Sequence, residues 1–222
     1  MEIFTGAYTS GKSEISINRA LMLKNEEPPV TLVDLDTVEP AYTLRPLKKE
    51  LEKLGIRVVT QEDYTGLGEA GNYITGEQQN CLSIPGTIVI DVGYGVGGLD
   101  ILNVINNIEG EKNLEIYIVI NTSKPETSTV ENIVEYVRWS MGSGGQSWKK
   151  FSGIISNSHF GDETTAEDVI KGYEIIKLAA EQLNLPIRAV AVSEKVYPDL
   201  GEFINNAPSV WLLKRFMPRA LW

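Results

Sequence analysis

Near the start of the chain, Gly6-Ala7-Tyr8-Thr9-Ser10-Gly11-Lys12-Ser13 fits the spacing G-x-x-x-x-G-K-[ST]. The chemistry this spacing serves is the cradling of phosphate. Glycines let the backbone turn tightly so that its N–H groups converge on anionic oxygens. The lysine reaches the outer phosphates of a nucleoside triphosphate, and the serine hydroxyl stands where Mg²⁺ is held. The plainer alternative is a Gly-rich turn ending in a surface lysine. Glu2–Thr5 ahead of the loop reads as a strand, and residues 13–24 behind it carry Ile15, Ile17, Leu21 and Leu23 at helical spacing. A strand before the loop and a helix after it favour the phosphate reading.

A phosphate loop needs carboxylates at neighbouring strand ends to organise the metal and its waters. Thr87-Ile-Val-Ile-Asp91 ends an apolar run in an acid and is followed by Gly93, Gly95, Gly97 and Gly98. Asp91 is expected to orient Mg²⁺, and the backbone at Gly93 and Gly95 to sense the outer phosphate; capping of a following helix is the alternative for Asp91. Leu32-Val-Asp34-Leu-Asp36 closes another run. Acids at i and i+2 point to one side of a strand. Asp36, beyond the strand end, is the one expected to hold a metal water or place an attacking water. Solvation of both acids is the alternative.

Arg45 follows in Ala41-Tyr-Thr-Leu-Arg45, either as an arginine finger or as a solvated residue of a first helical turn. The single histidine, His159, is expected to order a loop rather than serve as a general base. The single cysteine, Cys81, is assigned packing or a loop position and no function. Residues 203–222 hold Lys214, Arg215 and Arg219, no acid, and two of the four tryptophans. A basic, aromatic end of this kind either packs on the body or a subunit partner, or makes weak, reversible membrane contact.

The elements that must position these residues follow from the apolar pattern. Strands are expected at Glu2–Thr5, Val30–Asp34, Arg57–Thr60, Thr87–Ile90, Glu115–Ile120, Phe151–Ser156 and Arg188–Val192. Most are continuously apolar, as strands covered on both faces are. Helices are expected over 13–24, 46–54 and 98–108, and after the capping patterns Ser128-x-x-Glu131 and Thr165-x-x-Asp168. Alternating strands and helices predict an α/β fold, a three-layer sandwich around a mainly parallel sheet. Asp63–Cys81 and Gly142–Trp148 read as surface excursions. The 222 residues read as one domain, with no apolar run of transmembrane length and no leader ahead of the loop, so a cytoplasmic location is expected.

Composition removes several function classes. Thirty acidic residues against 20 basic ones give a net charge of −10, which disfavours nucleic acid as a partner. One cysteine and one histidine exclude a disulfide framework and Cys- or His-rich metal sites within one chain.

The loop Gly6–Ser13, the segment Val33-Asp-Leu-Asp36-Thr-Val-Glu-Pro40 and Ile90-Asp91-Val-Gly93 together resemble the CobQ/CobB/MinD/ParA nucleotide-binding superfamily, in particular a branch of bacterial ATP-binding proteins. The resemblance extends through Ile120-Asn121-Thr-Ser-Lys124-Pro125 and Ser156-Asn157-Ser-His159. It implies a P-loop sheet of about seven or eight strands, and ATP with Mg²⁺ as cofactors. Asn157 would read the adenine edge, the loop after Pro186 would flank the base, and Asn121 is a second base-side candidate; a structural turn bond is the alternative for Asn157. Ala7 stands where some members carry an additional lysine that acts across a dimer, so a homodimer is open as a partner but not required. The expectation is an Mg-dependent ATP hydrolase working as a nucleotide-controlled switch or accessory factor for a protein partner. A biosynthetic kinase or ligase of the cobyrinic-acid or dethiobiotin type, with 63–81 lining a small-molecule pocket, is the second expectation. A nucleotide-binding scaffold with negligible hydrolysis is the third.

Overall fold

Runs of β-branched and aliphatic residues form the strands, and the helices between them supply the cover for both faces. The computed structural model describes residues 1–37, 44–61, 73–142 and 148–217. In chain order the elements are β1 (Glu2–Gly6), α1 (Lys12–Glu26), β2 (Val30–Leu35), α2 (Lys48–Lys53), β3 (Arg57–Val59), α3 (Gly76–Gln79), β4 (Thr87–Val92), α4 (Gly95–Asp100), β5 (Glu115–Ile120), α5 (Val130–Ser140), β6 (Gly153–Ser156), α6 (Ala166–Leu183), β7 (Ile187–Ser193), α7 (Phe203–Asn206) and β8 (Val210–Leu213). The eight strands form one sheet in the order β3-β2-β4-β1-β5-β6-β7-β8, and every neighbouring pair is parallel.

Side-chain alternation divides each strand between two cores. Ile3, Val33, Ile90 and Ile118 pack with Leu99, Ile133, Val137 and Ile176 from α4, α5 and α6. Phe4, Leu32, Val89 and Val119 pack on the other face with Ile15 and Ala20 of α1 and Leu51 of α2. This is the α/β/α sandwich that the sequence pattern predicts. The chain leaves β1 toward β2 and β3, returns with β4, and continues from β5 toward the opposite edge. The order therefore reverses at β1, and a crevice opens at the carboxyl end of that strand, where open α/β sheets take their ligands. Gly6, the last residue of β1, sits opposite Val119 there.

Several boundaries differ from the sequence expectation. The apolar period over 98–108 is real burial, but the helix stops at Asp100 and the chain continues in 3₁₀ turns over Ile101–Val104 and Ile108–Gly110. Thr129 rather than Ser128 caps α5, accepting from the Asn132 N–H at 3.2 Å, because the Ser128 hydroxyl is turned to the Pro125 carbonyl. The Thr165–Asp168 capping box forms as expected. Within the expected excursion before Cys81, residues 73–81 belong to the body: Thr75 and Gln78 make a capping box, and Gln78 and Cys81 are buried. An eighth strand, β8, comes from the basic aromatic segment. Residues 38–43, 62–72, 143–147 and 218–222 lie outside the described residues, and with them 41–43 of the segment ahead of Arg45, parts of both excursions, Arg219 and Trp222.

Candidate functional site

The loop between β1 and α1 takes a path few sequences allow. Thr9 and Gly11 both have left-handed backbones, with φ of 55° and 88°. A side chain at Gly11 would run into the Asn157 amide, so glycine is required there for space as well as for φ. The Ser10 N–H donates to the Ala7 carbonyl at 3.1 Å, which closes the turn. The Ser10 carbonyl is held from the end of β6, by Asn157 Nδ2 at 2.8 Å and by the His159 imidazole. Gly11 caps α1 without a side-chain acceptor, so the first-turn N–H groups open toward the crevice, the arrangement that receives anions at helix starts.

Three buried carboxylates, the buried Lys12 and the partly buried Arg45 stand around this turn. Lys12 Nζ lies 3.0 Å from Asp36 Oδ2. Asp91, at the end of β4, accepts from the Ser16 hydroxyl at 3.3 Å. Its Oδ2 is buried with no hydrogen-bond partner of good geometry among the described residues. Burial pushes the Asp91 carboxyl up to about 8; Lys12 opposes the rise, Asp36 and Asp34 add to it, and a bond from Ser13 holds it back. Asp34 is spent on structure: it accepts from Arg45 Nε at 3.2 Å, from the Thr60 hydroxyl at 3.2 Å and from the Asp36 N–H at 2.9 Å. Burial raises its carboxyl to about 6, with Arg45 opposing. Arg45 also donates to the Asp36 carbonyl at 2.9 Å. It is therefore neither solvated nor a free finger, but a strut that fixes the chain around Asp36. Across the crevice, the Thr5 hydroxyl donates to the Gly93 carbonyl at 2.8 Å, and the Tyr8 and Tyr94 rings meet edge-on at 6.1 Å.

Beside Gly11, the carboxyl ends of β6, β7 and β8 enclose a cavity of about 260 Å³. Asn157 and His159 line it from β6, Ser193 to Val196 from β7, and Leu213 to Arg215 from β8.

Chains of known structure resemble this fold at a distance. A nucleotide-binding protein from Archaeoglobus fulgidus, solved in complex with ADP, is 16% identical with a TM-score of 0.45; the match covers 84% of this chain and 80% of that one. A putative plasmid partition protein from Borrelia burgdorferi, solved with AMPPNP, is 13% identical with a TM-score of 0.36, over 99% of this chain and 88% of that one. No protein-family model and no curated protein matches the chain.

The structure brings Gly6 to Ser13, Asp36, Asp91, Gly93 and Asn157 to one crevice. It does not bring Pro186 there. The Pro186 carbonyl accepts from the Ile154 N–H at the amino end of the sheet, one full strand, about 20 Å, from the carboxyl edge. The loop that does line the cavity is Ser193–Val196, at the other end of β7, where a parallel sheet places its ligands. Asn121 stands at the carboxyl edge but its amide is taken up by the backbone of His159 and Ser123, and Asn157 Nδ2 is taken up by the Ser10 carbonyl, the structural bond that was the alternative for that residue. Ala7 is buried in the core beneath the loop. Sequence reasoning missed Glu14 and named Arg215 only as part of the basic aromatic end; an acid two residues past the loop lysine was a signal that could have drawn notice. Among the described residues no group of three or more His, Cys, Asp or Glu is arranged to hold a metal, and no helix is long and apolar enough to cross a membrane.

Proposed function

We propose that this chain binds ATP with Mg²⁺ at the β1–α1 turn and hydrolyses it, working as a nucleotide-controlled switch. One observation carries the reading: the left-handed turn at Thr9 and Gly11 delivers Lys12 and Ser13 beside Asp36 and Asp91 at the point where strand order reverses. Lys12 and the loop N–H groups would hold the phosphates. Ser13 and Asp91 suit Mg²⁺, which takes one or two protein oxygens and completes its shell with water and substrate phosphate rather than an all-protein cage. The cluster of buried carboxylates, with Asp91 Oδ2 given no donor of good geometry among the described residues, suits a divalent cation. When bound, Mg²⁺ neutralises charge building on the phosphate oxygens. Asp36 would give up Lys12 to the phosphates and accept a hydrogen bond from the attacking water. Asp36 and Gly93 begin the segments that would change with the state of the nucleotide and report it to a partner protein.

Lys12→Ala is the test. Its affinity for ATP should fall about ten- to hundredfold, the worth of a hydrogen bond to a charged group, while circular dichroism shows the fold retained. ATP binding by a folded Lys12→Ala variant at the original affinity refutes the assignment.

A further inference from the structure

We propose that the segment after β8 is a working part of this nucleotide site: α1 holds it in place, and the Arg215–Asp162 pair latches it across the cavity mouth. The proposal rests on the cavity beside Gly11 being the nucleoside side of the site proposed above.

The hold is made by two residues one turn apart on α1. The Asn18 amide accepts from the Lys214 N–H at 2.8 Å and donates to the Lys214 carbonyl at 2.8 Å. The Glu14 carboxylate accepts from the Phe216 N–H at 3.0 Å to each oxygen and from the Met217 N–H at 2.6 Å. The helix start favours an acid at Glu14, but burial raises its carboxyl, and a phosphate bound at the same turn would repel it. What offsets this is the segment itself, through the Phe216 and Met217 N–H donors and the Arg215 charge. The turn that carries Lys12 and Ser13 thus also sets the position of residues 214–217.

So placed, the segment presents Leu213, Lys214 and Arg215 as one wall of the cavity. Arg215 Nη1 lies 2.6 Å from Asp162 Oδ1, and the Asp162 carbonyl accepts from Lys195 Nζ at 2.9 Å. The loops after β6, β7 and β8 are therefore tied together at Asp162. The Asp162 side chain is 80% exposed and that of Arg215 is 26% exposed, which puts the tie on the solvent side of the cavity. An ion pair this open adds little to folding and can break and re-form readily. Arg215 and Asp162 act as positioning residues that set how fast a nucleotide leaves.

The test is a double-mutant cycle on nucleotide release, read by chasing a fluorescent ATP analogue with Mg²⁺ off the full chain. Asp162→Asn and Arg215→Gln should each speed release about two- to fivefold, and the double variant no further than either single. Asp162→Glu should restore slow release, and rising salt should speed wild-type release toward the variant rate. Thermal unfolding run alongside separates this from a merely structural role, which would shift melting and leave the release rates alone. Release at the wild-type rate from both single variants, or effects that add in the double, overturns the latch. Where Lys12→Ala loses the analogue and the latch variants release normally, the latch alone fails; where Lys12→Ala and wild type bind it alike, the site itself fails and the latch with it.

Discussion

His159 shows what a lone titratable residue does when the chemistry lies elsewhere. Its Nδ1 accepts from the Gly161 N–H at 3.3 Å, which leaves Nε2 to donate to the Ser10 carbonyl. Burial lowers its pKa to about 4, with Lys124 adding to the fall. In the unfolded chain an imidazole titrates near 6.5. Between these values the unfolded chain binds more protons, so the stability this residue contributes is present above about 6.5 and is lost as pH falls toward 4, on the order of 3 kcal/mol in all. Asp34 and Asp91 run the other way, since their raised native pKa values make folding less favourable as pH rises from about 4 to about 6 for Asp34 and to about 8 for Asp91. The His159→Gln variant isolates the imidazole while keeping a donor for Ser10. Its urea stability should lose less than wild type between pH 6.5 and 4.5, and parallel curves would show that the imidazole is not buried neutral. The glycines, Lys12, Ser13, Asp36 and Asp91, which the structure gathers at one crevice, were legible in the sequence because the proposed phosphate and metal chemistry calls for those residue types. The partners of Asn157, His159 and Glu14 were not, because a backbone carbonyl at Ser10 or an N–H at Phe216 is carried by every residue type alike.

Close packing of backbone on backbone shapes the element that follows β4. A Cβ on Gly98 would overlap the Gly93 carbonyl, the same oxygen that receives the Thr5 hydroxyl, whereas a Cβ on Gly97 meets nothing within 4 Å. Gly98→Ala should therefore lower stability by about 1–3 kcal/mol, the usual result of overpacking, and Gly97→Ala should leave it equal or raise it by about 0.5–1 kcal/mol. Chemical unfolding of the two variants checks the contrast, and equal effects would mean that α4 does not press on the Gly93 turn. The same region explains where element reading from sequence failed. Leu99, Leu102 and Ile105 are all buried as their spacing implied, yet only the first lies in an α-helix. Spacing reports which face is covered and leaves the hydrogen-bond pattern open, and a Gly-rich start gives little propensity to decide it. β8 escaped notice for a related reason. Trp211 points inward and Leu212 outward, an alternation too short to separate from an amphipathic surface until pairing with β7 is seen.

At the scale of the whole molecule, the proposed nucleotide site and a buried ion pair lie at opposite ends of the strands. The phosphate turn, the carboxylates and the cavity gather at the carboxyl ends of the strands. At the amino end, Glu2 of β1 and Arg19 of α1 form a buried pair with two bonds of 2.7 Å, and the Arg19 guanidinium lies 4.9 Å from the Trp211 ring centre. The Trp211 ring meets Phe4 edge-on at 6.3 Å, so the central strand, the helix over it and the last strand are joined at one place. Removing one member of a buried ion pair strands the other charge, whereas replacing both by apolar groups of similar volume is often tolerated. Arg19→Ala should therefore destabilise the fold by about 3–5 kcal/mol, and Glu2→Gln with Arg19→Met by clearly less. Because α1 has run about 10 Å from Lys12 by the time it reaches Arg19, the folded fraction of each variant should bind ATP with wild-type affinity. Urea unfolding with ATP titration of the same samples checks both halves: a double variant as unstable as Arg19→Ala would remove the stranded charge as the cause, and a loss of affinity in the folded protein would join the two edges that this geometry keeps apart.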